Sequence, residues 1–407
     1  MCDRSRPAWR RVRRAGAVAM VLTGALALAP SHAGVADRVK LPNQTVKERM
    51  GYVRRARVWE PTDVGAKNLY DGPDGPLRFA VDTEVSCDFV PKKMSGWSEK
   101  FTCRLEDGTV VKVKYDDGGP YKEVFGEVLG TRLFWALGFY ADRMLPVRMT
   151  CRGCPEHPFE YVDARKKSPL NADGKIASFP DKARLGTYTF ELAAIEEKLD
   201  SEKIETQDKQ GWRWSLLDEV DETQGGATRA EIDALKLLNA FVQNADNKSK
   251  QNTLACPHVS LRVDDHGVVT CERPVMYVDD LGSVFGRGGF TTGNGGRVDY
   301  EAWKGRRVWR DSKSCRARLA SVGGSFRSST LKDPVIGEGG RLLLAEQLDK
   351  LSDVQIADLF RAARIERLHQ VRDVGKPGER EVTIADWVAL FKEKRSEITE
   401  HPACQPR

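Results

Sequence analysis

From Leu77 onward, hydrophobic and polar residues alternate. Val85, Cys87 and Phe89 alternate with polar neighbours, as do Phe101, Cys103 and Leu105, and Glu106-Asp107-Gly108 turns the chain into Thr109 to Tyr115. A period of two bounded by turn residues predicts an antiparallel meander of three or more strands. The period then changes. Tyr121 to Leu137 carries Val124, Val128, Thr131 and Trp135 on one stripe and Phe125, Leu129, Leu133 and Ala136 beside it, which predicts a helix buried against two partners and closed by Gly138. Glu123 and Glu127 lie one turn apart on it. Glu123 reads as part of a solvated face. Glu127 has almost wholly apolar neighbours, and a buried carboxylate needs a cation to stay ionised; Lys112 or Lys114, on the preceding strand, would supply one.

Met144 to Met149 reads as one more strand, with a lobe boundary near 150. Residues 156–210 are charged and interrupted by Pro169 and Pro180, with a short helix expected over Glu191 to Leu199. Thr228 to Glu231 is a capping box opening a helix whose Ile232, Leu235, Leu238, Asn239 and Val242 face a core. Val259 to Val263 and Val268 to Cys271 read as a hairpin, and Val275 to Val278 as a buried strand ending at Asp279-Asp280. The glycine-rich run from Gly286 to Gly296 fits a mobile active-site loop and a simple surface loop equally. Further capping boxes, Ser352 to Gln355 and Thr383 to Asp386, open two C-terminal helices. Trp212 and Trp214 read as core residues in preference to a stacking platform, and His258 and His266 as surface residues. There is no internal repeat.

Charge and cysteines add a compartment. Residues 1–33 hold six arginines against one acid, so the formal charge of +6 leaves the remainder close to neutral, without the basic footprint of a nucleic-acid binder. The arginines precede a fifteen-residue apolar run, Ala15 to Ala29, and a small-residue site at Ser31-His32-Ala33. This predicts a signal peptide, an uncleaved anchor being the alternative; Arg10-Arg11 adds a hint of a twin-arginine route. The run is short for a span, no other stretch approaches one, and no membrane span is expected after cleavage. The chain is therefore expected to be exported, periplasmic or extracellular, with residues 34–76 as a polar N-terminal extension. Eight cysteines remain beyond the signal. In an oxidising compartment an even set implies disulfides. Cys87 with Cys103 and Cys256 with Cys271 flank turns, Cys151 with Cys154 would form a tight loop, and Cys315 with Cys404 follow by elimination. A zinc site at Cys151-Arg-Gly-Cys154 is the rival.

Candidate chemistry lies in Asn244-Ala-Asp246-Asn-Lys-Ser-Lys-Gln251-Asn252 and in Asp279-Asp280-Leu281-Gly282. Phosphoryl transfer needs a lysine on the phosphates, a carboxylate fixing that lysine, an acid near the acceptor hydroxyl, and an acid and an amide on divalent metal. Oxygen ligands suit Mg or Mn. The chain presents strand lysine, helix Glu, loop Asp with Asn, hairpin, strand and Asp-Leu-Gly in that order. For each Asp, a helix-end or turn acid is the plain alternative.

This order, with Glu127-Val-Leu-Gly-Thr-Arg-Leu-Phe-Trp-Ala-Leu-Gly138 as a Glu helix closing on Leu-Gly, resembles the atypical kinases of the protein-kinase-like superfamily: the HipA-type, the spore-coat CotH-type and the secretory-pathway kinases. Asp280-Leu-Gly-Ser-Val-Phe-Gly286 is similar to the metal-binding Asp segment of the last group, and Asn244-Ala-Asp246 to the residues around its catalytic Asp. The resemblance covers about residues 80–290. It implies an α+β, two-lobed protein-kinase-like fold, with a small antiparallel-sheet N-lobe carrying one helix (77–150) and a mainly helical C-lobe (151–407). It implies Asp246 as the catalytic acid, Asp280 as metal ligand, Asn252 as a second metal ligand, and Glu127 as partner of the nucleotide lysine. That lysine is Lys112, with Val110 two residues before it, or Lys114, whose following Tyr115 is nearer the HipA-type pattern. The sequence departs from the pattern at two points: the amide five residues after the acid is Gln251, Asn252 being six away, with Asn247 a further candidate; and Asn247-Lys248 replaces the usual basic residues. The implied function is an exported kinase-like phosphotransferase using ATP or another nucleotide with Mg or Mn on a protein or small-molecule hydroxyl acceptor. The alternative is a non-catalytic, pseudokinase-like protein of the same fold, a binding or structural protein of the cell envelope.

Overall fold

The computed structural model describes residues 40–118, 122–163, 184–244, 246–286, 297–320 and 330–404. The expected signal peptide, Pro169, Pro180 and the glycines from 288 to 296 lie outside them. The fold is mixed α+β.

Helix α1 (Val46–Arg54) opens on a Thr45/Glu48 capping box, so the expected polar extension holds an unforeseen helix. Its Tyr52 and Val53, and Val58, Val64 and Leu69 after it, are buried in the main core. The described part of the extension is thus packed on the body. Strands β1 (Thr83–Val90), β2 (Lys100–Leu105) and β3 (Val110–Tyr115) form the expected meander. Helix α2 (Glu123–Ala136) follows, then β4 (Arg143–Pro155), a short α3 (Pro158–Val162) and β5 (Leu185–Glu197).

These strands close a barrel in the order β1-β2-β3-β5-β4. Two corrections follow. The sheet is not purely antiparallel, because β1 pairs β4 in parallel from Thr83 with Val147 to Asp88 with Arg152. And the segment expected to be helical over 191–199 is strand β5, hydrogen-bonded to β3 on one edge and β4 on the other. Glu-Leu-Ala-Ala-Ile-Glu-Glu has good helix propensity, but two waiting strand edges override it. Position 150 falls inside β4, and the barrel takes in residues through Glu197. Alternation turns Phe101 and Cys103 of β2 and Val111, Val113 and Tyr115 of β3 into the barrel core, which leaves Lys100, Thr102, Lys112 and Lys114 on the outer face.

Beyond the barrel come β6 (Ser201–Lys203), α4 (Arg229–Phe241) with its Thr228/Glu231 capping box, β7 (Asn252–Pro257), the hairpin β8 (Leu261–Val263) and β9 (Val269–Cys271), and β10 (Val275–Val278). Strands β10, β7 and β6 form a small sheet. Helices α5 (Tyr300–Lys304), α6 (Glu338–Asp349), α7 (Asp353–Ala362) and α8 (Ile384–Thr399) complete the core, α7 and α8 opening on the predicted capping boxes. Trp303 meets Phe241 edge-on at 5.8 Å and stacks on Trp387 at 6.0 Å between ring centroids. Trp212 and Trp214 are buried, with indole N–H groups on the Thr253 and Asn247 carbonyls. Cys87–Cys103, Cys151–Cys154, Cys256–Cys271 and Cys315–Cys404 are bonded, each with Cα atoms 5.7–5.8 Å apart. That leaves Cys151 and Cys154 no thiolates for zinc. Among the described residues no helix is long and apolar enough to cross a membrane.

Candidate active site

The site begins where α2 meets Leu281-Gly282. Glycine at 126 and 130 puts two bare positions on one helix face. A Cβ at Gly126 would stand 2.1 Å from the Gly282 carbonyl oxygen, and one at Gly130 would stand 2.6 Å from the Leu281 Cβ. The segment after β10 can therefore lie directly on the helix backbone. This contact carries Asp280 to the helix carboxylates: oxygens of Glu123, Glu127 and Asp280 lie within 4.8 Å of one another. Glu123 is thus a member of the cluster, contrary to the solvated face expected of it; what covers it is the Gly282 backbone, whose missing side chain would touch its Cβ.

Both candidate lysines have carboxylate partners. Lys114 is ion-paired with Glu127 and hydrogen-bonded to it, and both are buried. Lys112 pairs instead with Glu196 of β5, its register partner. Burial alone would push the Lys114 ammonium down, but Glu127, Asp280, Glu196 and Glu123 more than offset it and hold it well above its ordinary value. Burial pushes Glu127 up to about 8 even with Lys114 against it, Asp280 and Glu196 adding repulsion. Asp280 is drawn to about 2, its burial outweighed by Lys114, Gln251, Lys112 and the Gly282 N–H. Three carboxylates crowded around one ammonium thus resist ionising together: Glu123 and Glu127 are raised, while Asp280 stays ionised.

Asp246 enters from the other side. Helix α4 ends at Phe241, and Gln243 turns the chain in the left-handed region at φ 58°. Buried amides then fix the loop: Asn244 donates to Asn239 Oδ1 at 3.0 Å, and Asn247 accepts from the Leu331 N–H at 2.7 Å. Asp246 accepts from Lys248 at 2.5 Å and from Gln251 Nε2 at 2.8 Å, and the same Gln251 nitrogen reaches Asp280 at 3.0 Å. Burial raises the Asp246 carboxyl, Lys248 and Gln251 opposing it. The Asn252 amide nitrogen donates to the Trp212 carbonyl at 3.0 Å, inside the scaffold, while its Oδ1 is buried with no hydrogen-bond partner. The turn Ser249–Gln251 precedes β7, so the residue one position earlier, Gln251, bridges the acids.

Oxygen donors of this kind fit a hard divalent cation. Besides the three carboxylates, Gln251 Oε1 is buried with no hydrogen-bond partner. Sequence reasoning missed the glycine pair of α2 and also Lys100, which stands opposite Lys114. Alternation alone could have placed Lys100 beside Lys112 and Lys114.

No family model and no curated protein matches the sequence. Among solved structures the chain is similar to CtkA, a proinflammatory kinase of Helicobacter pylori, at 9% identity and a TM-score of 0.39, over 79% of this chain and 95% of that one. At that level neither fold nor activity transfers from it.

Proposed function

We propose that the chain is an exported phosphotransferase of two-lobed, protein-kinase-like build, moving a nucleotide phosphoryl group to a hydroxyl on a protein or small-molecule acceptor. The barrel with α2 would be the small lobe. One observation carries the reading: a buried Lys114–Glu127 pair abuts Asp280, which Gln251 ties to Asp246. Lys114 would hold the phosphates, with Glu127 fixing its position. Asp280, Glu123 and Gln251 Oε1 would hold Mg or Mn, whose charge would offset that of the phosphates. Asp246, with its raised affinity for a proton, would take the proton of the acceptor hydroxyl. The arginine-rich start and the four disulfides support export. Because the Gln251 amide clamps both acids together, a non-catalytic nucleotide binder of the same build is the second reading.

Thermal denaturation with ATP and Mn²⁺ tests both. The wild type is expected to gain stability, about 2.7 kcal/mol at a ligand concentration a hundredfold above Kd, and Asp280→Ala to gain none. Asp246→Asn should keep the gain while phosphoryl transfer falls by about 10²- to 10⁴-fold. Binding without transfer in the wild type would favour the second reading, and no gain in the wild type refutes both.

A further inference from the structure

Among the described residues, Lys100 is the lysine of the barrel's outer face with no direct ion pair. It stands directly opposite Lys114 in the β2–β3 register, while Thr102 stands opposite Lys112. Lys112 is paired with Glu196 and Lys114 with Glu127. Among the described residues Lys100 has only the Ser98 hydroxyl, at 3.0 Å, and the face of Phe159, 5.6 Å from its ring centroid. It is nevertheless only 6% exposed. A buried ammonium with carboxylates near it but none in direct contact is costly, and a second lysine directly across the ladder makes it more so. Such an arrangement persists where a ligand supplies the missing charge.

The surroundings indicate where that charge sits. The turn Ser95-Gly96-Trp97-Ser98 folds over the ammonium: Gly96 adopts φ 96°, and a Cβ there would stand 2.7 Å from Lys100 Nζ. The Ser98 hydroxyl that accepts from Lys100 also hydrogen-bonds the Glu123 carboxylate. Lys100 is thereby linked through Ser98 to the carboxylate cluster of Glu123, Glu127 and Asp280. A group able to engage both carries concentrated negative charge toward Lys100 and oxygens that share a divalent cation with the acids. Phosphate anhydrides have this chemistry.

We propose that Lys100, roofed by the Ser95–Ser98 turn, receives the terminal phosphate of a polyphosphate chain. The inference rests on the phosphotransferase reading and adds a second cation to it: Lys114 is already ion-paired with Glu127, and Lys100, which has no ion pair, would join it on the phosphates. Burial, with Lys114 and Lys112 nearby, lowers the Lys100 ammonium to about 8, while Glu123 and Asp280 oppose the fall; it is therefore still mainly charged at neutral pH. A dianionic phosphate would reinforce that charge.

The test uses the full chain with Mn²⁺ and inorganic tripolyphosphate, with ATP run in parallel. Wild type is expected to bind tripolyphosphate, and Lys100→Met to bind it at least tenfold more weakly while melting, without ligand, no lower than wild type. Gly96→Ala, on an exposed turn, should crowd the ammonium and weaken binding in the same direction. Unchanged affinity in Lys100→Met overturns the proposal. So does a lower melting point of that variant without ligand, which would make the ammonium structural, and so does failure of the wild type to bind tripolyphosphate. If tripolyphosphate binds through Lys100 and ATP does not bind, the nucleotide reading falls while the phosphate site stands.

Discussion

Replacing Gly126 with alanine is predicted to destabilise the protein, although alanine is the better helix former. Glycine inside a helix costs about 1 kcal/mol relative to alanine, so the substitution at an open helical site should stabilise. Gly51 in α1 is such a site, with nothing within 4 Å of the added Cβ. At Gly126 the added carbon meets the Gly282 carbonyl oxygen at 2.1 Å and its carbon at 2.8 Å, both backbone atoms. Ordinary contact distances are about 3.5 Å or more, so helix and segment must separate by roughly 1.4 Å. Overpacking of this kind costs about 1–3 kcal/mol. After the helix gain of about 1 kcal/mol, a net loss of up to about 2 kcal/mol remains. The displacement acts on Asp280, two residues before the contact, and should weaken any cation gripped between it and α2. Urea denaturation of Gly126→Ala and Gly51→Ala, followed by tryptophan fluorescence with disulfides intact and repeated with Mn²⁺ and ATP, gives both readouts. Opposite signs for the two variants, with loss of the ligand-induced gain only in Gly126→Ala, is the expected result. If Gly126→Ala stabilises as much as Gly51→Ala, the helix and the Asp280 segment are not in backbone contact and the site collapses as described.

Three further expectations concern the frame around the site. Arg364, after α7, donates to the Val147 carbonyl at 3.1 Å, the Ala193 carbonyl at 2.7 Å and Asp82 at 3.1 Å; Arg364→Met should cost about 3 kcal/mol in chemical denaturation, because buried acceptors lose a charged donor. The Asp386 carboxyl is held well below its ordinary value of 3.8, its burial outweighed by Arg380, the Thr383 N–H and hydroxyl, and Arg372. A depressed carboxylate contributes stability above its unfolded pKa and loses it as pH falls, so the advantage of wild type over Asp386→Asn should shrink below about pH 4 in pH-dependent melts. In the chain-entropy view, removing Cys315–Cys404, 89 residues apart, should cost about 4.5 kcal/mol and removing Cys151–Cys154, three apart, about 2 kcal/mol; equal losses in paired Cys→Ser variants would contradict it.

What could be read in the sequence was what local chemistry decides. The Thr228/Glu231, Ser352/Gln355 and Thr383/Asp386 caps are closed by side chains three residues apart, and the 87–103 and 256–271 pairs flank short turns. Alternation placed Lys112 and Lys114 on one face, but which of them meets Glu127 depends on where α2 crosses the barrel, and no strand pattern contains that. Glu123 was misjudged for the same reason: its cover comes from Gly282, far along the chain. Spacing from Asp246 pointed to Gln251 and residue type to Asn252; the turn Ser249–Gln251 sets the phase, and it is Gln251 that bridges the acids. The β5 segment failed because its own propensity is helical and its two partners are not local. Yet one tertiary contact did leave a local trace. Gly126 and Gly130, one turn apart inside an otherwise apolar helix, together cost about 2 kcal/mol of intrinsic helix stability, and in a helix as apolar as α2 that cost has no local offset. It is offset where Leu281 and Gly282 press onto the bare face. A glycine pair at that spacing therefore marks the place where another backbone arrives, and here the arriving backbone is the one that carries Asp280.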